Sequence, residues 1–314
     1  MFNSVHLHIV KHLYYLNSLF NTEILHNLLL LSYKKLAMEC SGSFYLHNFK
    51  IKEVDSFNDS FIKTGISVYE VIRIEKGIPL FLENHLDRLF RSAETINLSI
   101  NESYCDFETL IIELINKNKI LKGKIKIIIH FNTETKLQEK NLLIYFTPHY
   151  FPTAEEYIDG VKTGLCNALR DKPKAKILNS EARIIANDTI AEKKLFEVIL
   201  NDNNGFITEG SRSNIFFIKG NKIITPPEKD VLQGITRLNI LKLCKSEKIK
   251  LIEKKIHISE IYEMDSAFIT GTSLKVLPII SIDSVVFNTH NETLEKISEL
   301  YDKCIESYLA DKLP

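Results

Sequence analysis

Three things are missing from this sequence of 314 residues: an excess of charge of one sign, clustered cysteines and long hydrophobic runs. Lys and Arg together number 40 and Asp and Glu also number 40, so the formal net charge is zero. A dedicated nucleic-acid-binding protein normally carries a basic excess, so this balance argues against that class. It leaves room for a local basic pocket that holds a small anion. The 25% of charged and 45% of hydrophobic residues are typical of a folded protein with one large or two smaller domains.

Cysteine and histidine patterns give no sign of a metal or redox site. The five cysteines are far apart and form no CxxC pair, which argues against bound zinc or a redox pair and is typical of a reduced, cytoplasmic protein. The ten histidines form no HExxH pattern. We therefore expect no metal site.

The first forty residues differ from the rest of the chain. Two uncharged stretches, 12–22 and 24–33, are shorter than the roughly 18–20 apolar residues that span a bilayer, and no signal-peptide pattern is clear. Met38 opens a segment that resembles an ordinary protein start. We interpret residues 1–40 as an N-terminal extension outside the core, or 1–37 as a wrongly assigned start, and expect no membrane partner. A membrane-surface helix is the competing interpretation.

The N-terminal half alternates strands and helices. ENHLDRLFRSAETI has apolar residues at helical spacing, and FETLIIELINKN predicts a second helix. The runs KIKIIIHF and NLLIYFTP predict two strands. Two prolines and little periodicity in TPHYFPTAEE predict a linker. We therefore predict an α/β (α+β) chain with a small domain over 41–150, a linker over 151–156 and a larger domain over 157–314.

The C-terminal half has further periodic segments. GVKTGLC predicts a strand, residues 182–200 predict one long helix, and DNNG predicts a turn. NIFFIKGNKIITP predicts a hairpin, because Gly220-Asn221 separates two apolar runs. A helix over RLNILKLCKSE, a strand pair over KLIEKKIHI and SAFITGTS, and a helix over 293–312 complete the prediction.

A few short segments could together bind a phosphate and carry out chemistry. Gly234-Ile235-Thr236 opens a predicted helix, whose first N–H groups can bind phosphate, and Gly271-Thr272-Ser273 is a second small turn with hydroxyls. Arg88 could add a fixed cation. A lysine and a carboxylate beside such a cradle are the minimum equipment of a pyridoxal-phosphate enzyme.

The order and spacing of these segments resemble the class IV, or fold-type IV, aminotransferases. The matching runs are GISVYEVIR, HLDRL, KILN, TEGSRSNIF and LQGITR, and Glu209 lies 33 positions after Lys176. This family includes branched-chain aminotransferases, D-amino-acid aminotransferases and aminodeoxychorismate lyases. The resemblance covers the chain from about Phe44 to the C-terminus. It implies a two-domain fold, pyridoxal 5'-phosphate in the cleft between a small and a larger domain, and a homodimer.

The resemblance also implies roles for individual residues. Lys176 corresponds to the catalytic lysine that forms the Schiff base and shuttles the proton, and Glu209 to the partner of the pyridine nitrogen. The phosphate ligands it implies are Arg88, Ile235, Thr236 and Thr272. Tyr69 would face the substrate.

Each role has a simpler structural alternative. Lys174 lies two residues from Lys176 and is its main competitor, and Glu209 or Thr272 could be an ordinary turn residue. Arg88 could be an exposed helix residue that pairs with Glu83 or Asp87, and Tyr69 could be a core residue. These alternatives remain open at the level of sequence.

The substrate site departs from the family pattern. D-amino-acid aminotransferases and many of the lyases carry Arg-Gly at the end of the strand that matches KIKIIIHF, where this chain has His130-Phe131-Asn132. The missing arginine favours a branched-chain-like mode in which turn amides near Thr272 and Ser273 bind the substrate carboxylate. The tyrosine that branched-chain enzymes usually have after the lysine motif is also missing. His130 and Lys126 are further candidates for this contact.

We therefore predict transamination between an amino acid and a keto acid, with ping-pong kinetics. An aminodeoxychorismate lyase, a non-catalytic relative that acts as a binding protein and an unrelated phosphate-binding α/β protein are the alternatives.

Overall fold

Two β-sheets organise the part of the chain that the structure describes. A computed structural model describes residues 39–132, 140–148 and 150–313. The predicted extension lies outside the described residues over 1–38. From Gly42 onward the chain forms one compact unit, and the sheets and helices below belong to it.

The first sheet is antiparallel and has six strands in the order β2-β1-β6-β5-β3-β4. Its strands are β1 (Phe44–His47), β2 (Lys50–Glu53), β3 (Ile66–Glu75), β4 (Ile78–Pro79), β5 (Lys122–Phe131) and β6 (Lys140–Phe146). The alternation in KIKIIIHF turns Ile125, Ile127 and Ile129 to one face, where they join a hydrophobic core. The opposite face carries Tyr69 and His130.

Two helices cover the apolar face of this sheet. They are α1 (Leu82–Thr95) and α2 (Tyr104–Asn118), at the places that the helical spacing predicts. Leu86 and Leu89 of α1 are buried in the same core as the isoleucines of β5. A reciprocal capping box of Ser103 and Asp106 starts α2. The helices leave the other face of the sheet available for a site.

The second sheet is mixed and has ten strands, in the order β12-β11-β10-β14-β15-β7-β8-β9-β13 with β16 beside β15. Its strands are β7 (Val161–Asn167), β8 (Glu197–Asn201), β9 (Phe206–Gly210), β10 (Asn214–Lys219), β11 (Lys222–Thr225), β12 (Lys250–Glu253), β13 (Ile256–His257), β14 (Ser266–Gly271), β15 (Lys275–Ile282) and β16 (Val285–Val286). Strand β7 pairs in parallel with both β8 and β15. The predicted hairpin is confirmed as β10 and β11, with Gly220 in the left-handed region at φ 60°.

Four further helices belong to the described C-terminal part. They are α3 (Ala154–Asp159), α4 (Glu181–Lys193), α5 (Ile235–Ser246) and α6 (Glu292–Lys312). Short 3-10 turns occupy Val54–Ser56, Ser60–Lys63, Glu228–Asp230 and Ile258–Glu263. The mixture of strands and helices confirms the predicted α/β (α+β) class. None of the helices in the described part of the chain has the length and apolarity that a membrane crossing requires.

The prediction of one helix over 182–200 is wrong beyond Lys193. Helix α4 ends at Lys193, and the next residue, Lys194, adopts a left-handed conformation with φ 53°. The run Glu197–Asn201 forms strand β8 instead, and all five of its residues are buried. A short apolar run fits a buried strand or a helix equally well, so pairing with β7 decides the outcome.

The predicted strand pair over KLIEKKIHI and SAFITGTS is also wrong. Strand β12 pairs in parallel with β11, whereas β14 pairs with β10 and β15. In the predicted linker, Thr153 caps helix α3, which begins inside it. Because both sheets lie in one compact unit, the division into domains at 41–150 and 157–314 stays a prediction.

Candidate active site

The segment that carries Lys176 is attached to the first sheet. The Tyr69 N–H donates to the Lys176 carbonyl at 3.1 Å, and the Leu178 N–H donates to the Ser67 carbonyl at 2.9 Å. The Lys176 N–H donates to Ser92 Oγ at 3.1 Å. Three hydrogen bonds therefore fix the lysine backbone against β3 and α1.

The two candidate lysines have different surroundings. Lys174 is exposed, whereas Lys176 is half-buried, and its Nζ lies 4.7 Å from the ring centroid of Tyr69. Burial lowers the pKa of Lys176, and the nearby guanidinium of Arg88 lowers it further, against the opposing effect of Tyr69. A lysine with a lowered pKa is more often present as the free, nucleophilic amine than an ordinary lysine, which favours Lys176 as the reactive amine.

Tyr69 lies among cations. Burial alone would raise its pKa, but the positive charges of Lys176, Arg183, Arg170 and Lys126 outweigh burial and lower the pKa to about 8. This concentration of positive charge marks the site as one for an anion.

Glu209 is a buried carboxylate at the end of β9. Its side chain accepts a hydrogen bond from the Leu232 N–H at 3.2 Å and lies 3.3 Å from Arg170 Nε. Burial raises the pKa of Glu209, and Arg170 acts in the opposite direction. A carboxylate held this way would gain from a further positively charged partner.

Arg88 is buried and does not pair with Glu83 or Asp87 of its own helix. Its Nε and Nη2 bind the two carboxylate oxygens of Glu70 on β3 at 2.6 and 2.7 Å. Glu70 also lies 2.8 Å from His85 Nδ1. Burial favours the neutral acid, but Arg88 outweighs burial and lowers the pKa of Glu70 far below its usual range. Arg88 is thus held in place by a carboxylate.

Arg88 also reaches the start of α5, because its Nη1 donates to the Gln233 carbonyl at 3.1 Å. Ile235 and Thr236 form the first turn of this helix, and no described side chain caps it. A Cβ added to Gly234 would lie 2.0 Å from Asn214 Oδ1, so this close approach requires glycine. Uncapped N–H groups at a helix start form an anion site.

The predicted phosphate ligands of the two turns line one small cavity. Ile235, Thr236 and Thr272 meet there beside His85 and Tyr301. The hydroxyls of Thr236 and Tyr301 lie 3.2 Å apart. The structure therefore brings these three predicted residues together, with Arg88 connected to them through Gln233.

The predicted substrate residues are less closely grouped. Ser273 lies in the β14–β15 turn, and its carbonyl accepts from Arg73 Nη1 at 3.4 Å. His130 lies on the same sheet face as Tyr69, but its described polar contact is Ser67 Oγ at 3.0 Å. A substrate contact of His130 stays a prediction.

Sequence reasoning missed several polar residues of this region. They are Glu70, His85, Arg170, Arg183 and Glu197. A signal existed for Glu70, since a carboxylate inside the apolar run VYEVI is costly to bury unless it is paired. Glu197 accepts from the hydroxyls of Ser211 and Ser213 and from the Arg212 N–H, so it holds the turn after β9 in place. The described residues contain no group of three His, Cys, Asp or Glu suited to a metal.

These features define the class of protein. Pyridoxal phosphate has an aldehyde that reacts with amines, a basic ring nitrogen and a phosphate. The half-buried lysine of lowered pKa fits the aldehyde, and the buried carboxylate fits the ring nitrogen. The glycine-dependent helix start beside an arginine fits the phosphate. Lys176 would bind the cofactor covalently, Glu209 would accept from its ring nitrogen, and the α5 start would hold its phosphate.

Comparison with known proteins identifies the family. The family model "Amino-transferase class IV" matches residues 67–282, more than half of the chain. A putative branched-chain-amino-acid aminotransferase of Methanocaldococcus jannaschii is 27% identical over 271 residues, which cover 82% of this chain and 94% of the relative. A D-alanine aminotransferase of Bacillus licheniformis is 32% identical over 229 residues, covering 70% of this chain and 80% of the relative.

A solved structure shows the same fold. The branched-chain aminotransferase of Escherichia coli superposes with a TM-score of 0.77 at 22% identity, covering 84% of this chain and 95% of that one. The chain belongs to the class IV aminotransferases, enzymes that transfer an amino group with pyridoxal 5'-phosphate. The predicted family, fold type, transaminase activity and cofactor are confirmed.

Proposed function

We propose that this enzyme transaminates a branched-chain or similar small amino acid with a keto acid as acceptor, and that Lys176 carries the proton. The environment of the lysine carries this proposal. Its backbone is fixed by three hydrogen bonds, its Nζ lies 4.7 Å from the ring centroid of Tyr69, and its pKa is lowered by burial.

The chain's residues divide the work between binding and proton transfer. When bound, the cofactor supplies an electron sink that stabilises negative charge at the substrate α-carbon. Lys176 Nζ would accept the proton from the substrate α-carbon as a general base and would then deliver it, as a general acid, to the C4′ carbon of the cofactor. Glu209 would hold the ring nitrogen through a charge-assisted hydrogen bond. The phosphate would be held by Arg88, Ile235, Thr236 and Thr272.

The specificity proposal rests on two supports. The strand end at His130-Phe131-Asn132 lacks the arginine that the D-amino-acid enzymes use. Several similar proteins are named as branched-chain enzymes, although the Bacillus licheniformis relative is named for D-alanine. We therefore propose branched-chain substrates first and D-alanine as the alternative that a substrate screen must test.

Reduction with borohydride tests the role of the lysine directly. It fixes the cofactor on the lysine that bears it, and peptide mass spectrometry then locates the label. We expect the label on Lys176 and its loss in Lys176→Ala. Lys174→Ala is the matched control and should keep both label and transamination. A label on Lys174 would refute the assignment.

A half-reaction screen tests the substrate. The purified holoenzyme is mixed with single L- and D-amino acids, and conversion of the cofactor to its amine form is followed by absorbance. Release of pyruvate from aminodeoxychorismate without a keto-acid acceptor would instead identify a lyase, and failure to bind the cofactor a non-catalytic relative.

We further propose that the enzyme is a cytoplasmic homodimer. All five cysteines, each within the described residues, are free thiols, which is usual in a reducing compartment. The family resemblance supports the dimer. Sedimentation equilibrium should give twice the 36.2 kDa chain mass, and a monomer would contradict it.

A further inference from the structure

Arg183 lies in the first turn of helix α4, close in sequence to Lys176. Between them, Asn179 adopts a left-handed conformation with φ 57°, which reverses the chain before the helix begins. The Arg183 N–H donates to the Ser180 carbonyl at 2.9 Å, so its backbone is fixed at the helix start. The side chain is half-buried. Its position is therefore set by the same turn that presents the lysine.

Among the described residues, the guanidinium of Arg183 has few binding partners. Its Nη1 donates to the Ser211 carbonyl at 2.5 Å, and Arg170 Nη2 donates to the same oxygen at 2.9 Å. Most of the N–H donors of Arg183 remain, and the described part of the chain gives it no ion-pair partner. Two guanidinium groups on one carbonyl repel each other, and an anion between them would relieve that repulsion.

The buried carboxylates of the site region already have partners. Glu209 faces Arg170 at 3.3 Å, and Glu70 holds Arg88. The buried Glu197 accepts from two serine hydroxyls and from the N–H groups of Val198 and Arg212. The half-buried Arg183 is left with spare donors next to Arg170, which shares the Ser211 carbonyl with it and lies 3.3 Å from Glu209 of the proposed cofactor site.

We propose that Arg183 binds the α-carboxylate of the amino-acid substrate, in place of the arginine that is missing from the end of β5. A guanidinium matches a carboxylate through two parallel hydrogen bonds. The contact arises from a helix instead of a strand, because α4 begins directly after the lysine segment. This inference rests on the proposed function, since it concerns the substrate of that reaction.

Binding of a non-reacting carboxylate tests the inference without relying on turnover. The holoenzyme is titrated with 2-methylpropanoate by calorimetry, and 2-methylpropanamide serves as the neutral control ligand. Wild type should bind the acid and not the amide. Arg183→Gln should weaken the acid about 10- to 100-fold, the range of a hydrogen bond between charged groups. Lys193→Gln removes a charge from the far end of the same helix and should bind like wild type.

Kinetics and a conservative variant complete the test. Arg183→Gln should raise KM for the amino acid by a similar factor while kcat changes little, because the contact is made with the substrate before reaction. Arg183→Lys should lose affinity several-fold, since an ammonium group cannot make the two-point contact. A melting curve shows whether Arg183→Gln folds. If Arg183→Gln does not fold, the affinity of Arg183→Lys for the carboxylate tests the inference in its place.

Several results would overturn the inference. They are equal binding of acid and amide by wild type, unchanged affinity in a folded Arg183→Gln, a loss confined to dicarboxylic amino acids, or loss of cofactor with unchanged acid affinity. An inactive wild type that binds 2-methylpropanoate through Arg183 would overturn only the proposed function. An active wild type with an indifferent Arg183→Gln would overturn only this inference.

Discussion

Substituting Glu70 with glutamine tests whether the buried pair with Arg88 holds the site together. Glu70 makes three short contacts, at 2.6 and 2.7 Å with Arg88 and at 2.8 Å with His85. Glutamine has almost the same shape as glutamate, but only one of its two terminal atoms is an acceptor. Its amide NH₂ would face an N–H donor of Arg88 or His85 and could not accept a hydrogen bond from it. Breaking a buried pair from one side costs about 3–5 kcal/mol, because the remaining charge is buried without compensation. We expect a loss of about that size in the free energy of unfolding.

Urea unfolding measures this loss through a lower midpoint with an unchanged slope. Glu83→Gln is the matched control on the first turn of α1, where Glu83 pairs with Lys312 at the surface, and we expect it to cost less than about 1 kcal/mol. The double variant Glu70→Gln/Arg88→Gln should be more stable than the two single losses predict, since no lone charge remains. A loss below about 1 kcal/mol in Glu70→Gln would refute the pairing argument.

The pH dependence of the same comparison has a definite sign. The folded-state pKa of Glu70 lies below its unfolded value, so its contribution is fully present above the unfolded pKa. It is lost progressively as the pH falls from the unfolded pKa of 4.5 toward the folded pKa. The stability difference between wild type and Glu70→Gln should therefore stay constant near neutral pH and shrink steadily once the pH falls below the unfolded pKa.

Two further predictions concern single groups of the site. Tyr69 should ionise with a pKa of about 8 in the apoenzyme, measured as the phenolate absorbance that Tyr69→Phe removes. Lys176→Met should raise this pKa, because a cation that stabilises the phenolate is lost. Titration of Tyr69 at the ordinary tyrosine value of 10.0 would contradict the prediction. Gly234→Ala should cost about 1–3 kcal/mol and weaken cofactor retention, because its Cβ would lie 2.0 Å from Asn214 Oδ1. Gly271→Ala, whose Cβ would meet nothing closer than 3.6 Å, is the control for stability, and equal costs for the two variants would refute the steric argument.

The sequence correctly predicts elements in which apolar residues recur at a regular spacing and in which turn or capping residues mark the ends. Helices α1, α5 and α6 and the β10–β11 hairpin are of this kind. The segment after Lys193 could not be assigned correctly, because a short apolar run becomes strand β8 only through its long-range pairing with β7. The partner of strand β12 was missed for the same reason.

In the site, too, features set by local sequence could be predicted, whereas features set by long-range contacts could not. Motif spacing places Ile235, Thr236 and Thr272 at one cavity, because each sits at a turn whose geometry is local. The pairing of Arg88 with Glu70 joins a helix to a neighbouring strand, and local spacing suggests Glu83 or Asp87 instead. Which of two nearby lysines is half-buried likewise depends on the contact of one segment with β3.

The attachment of the lysine segment to β3 has a mechanical consequence. Lys176 is held on the six-stranded sheet through the amides of Tyr69 and Leu178, whereas Glu209 belongs to the ten-stranded sheet. A small slide of one sheet against the other would change the separation of amine and carboxylate without altering either side chain. The packing between the sheets therefore sets the distance between the Lys176 amine and the Glu209 carboxylate. Slow hydrogen exchange at the Tyr69 and Leu178 amides would show that the lysine segment is firmly attached to the first sheet.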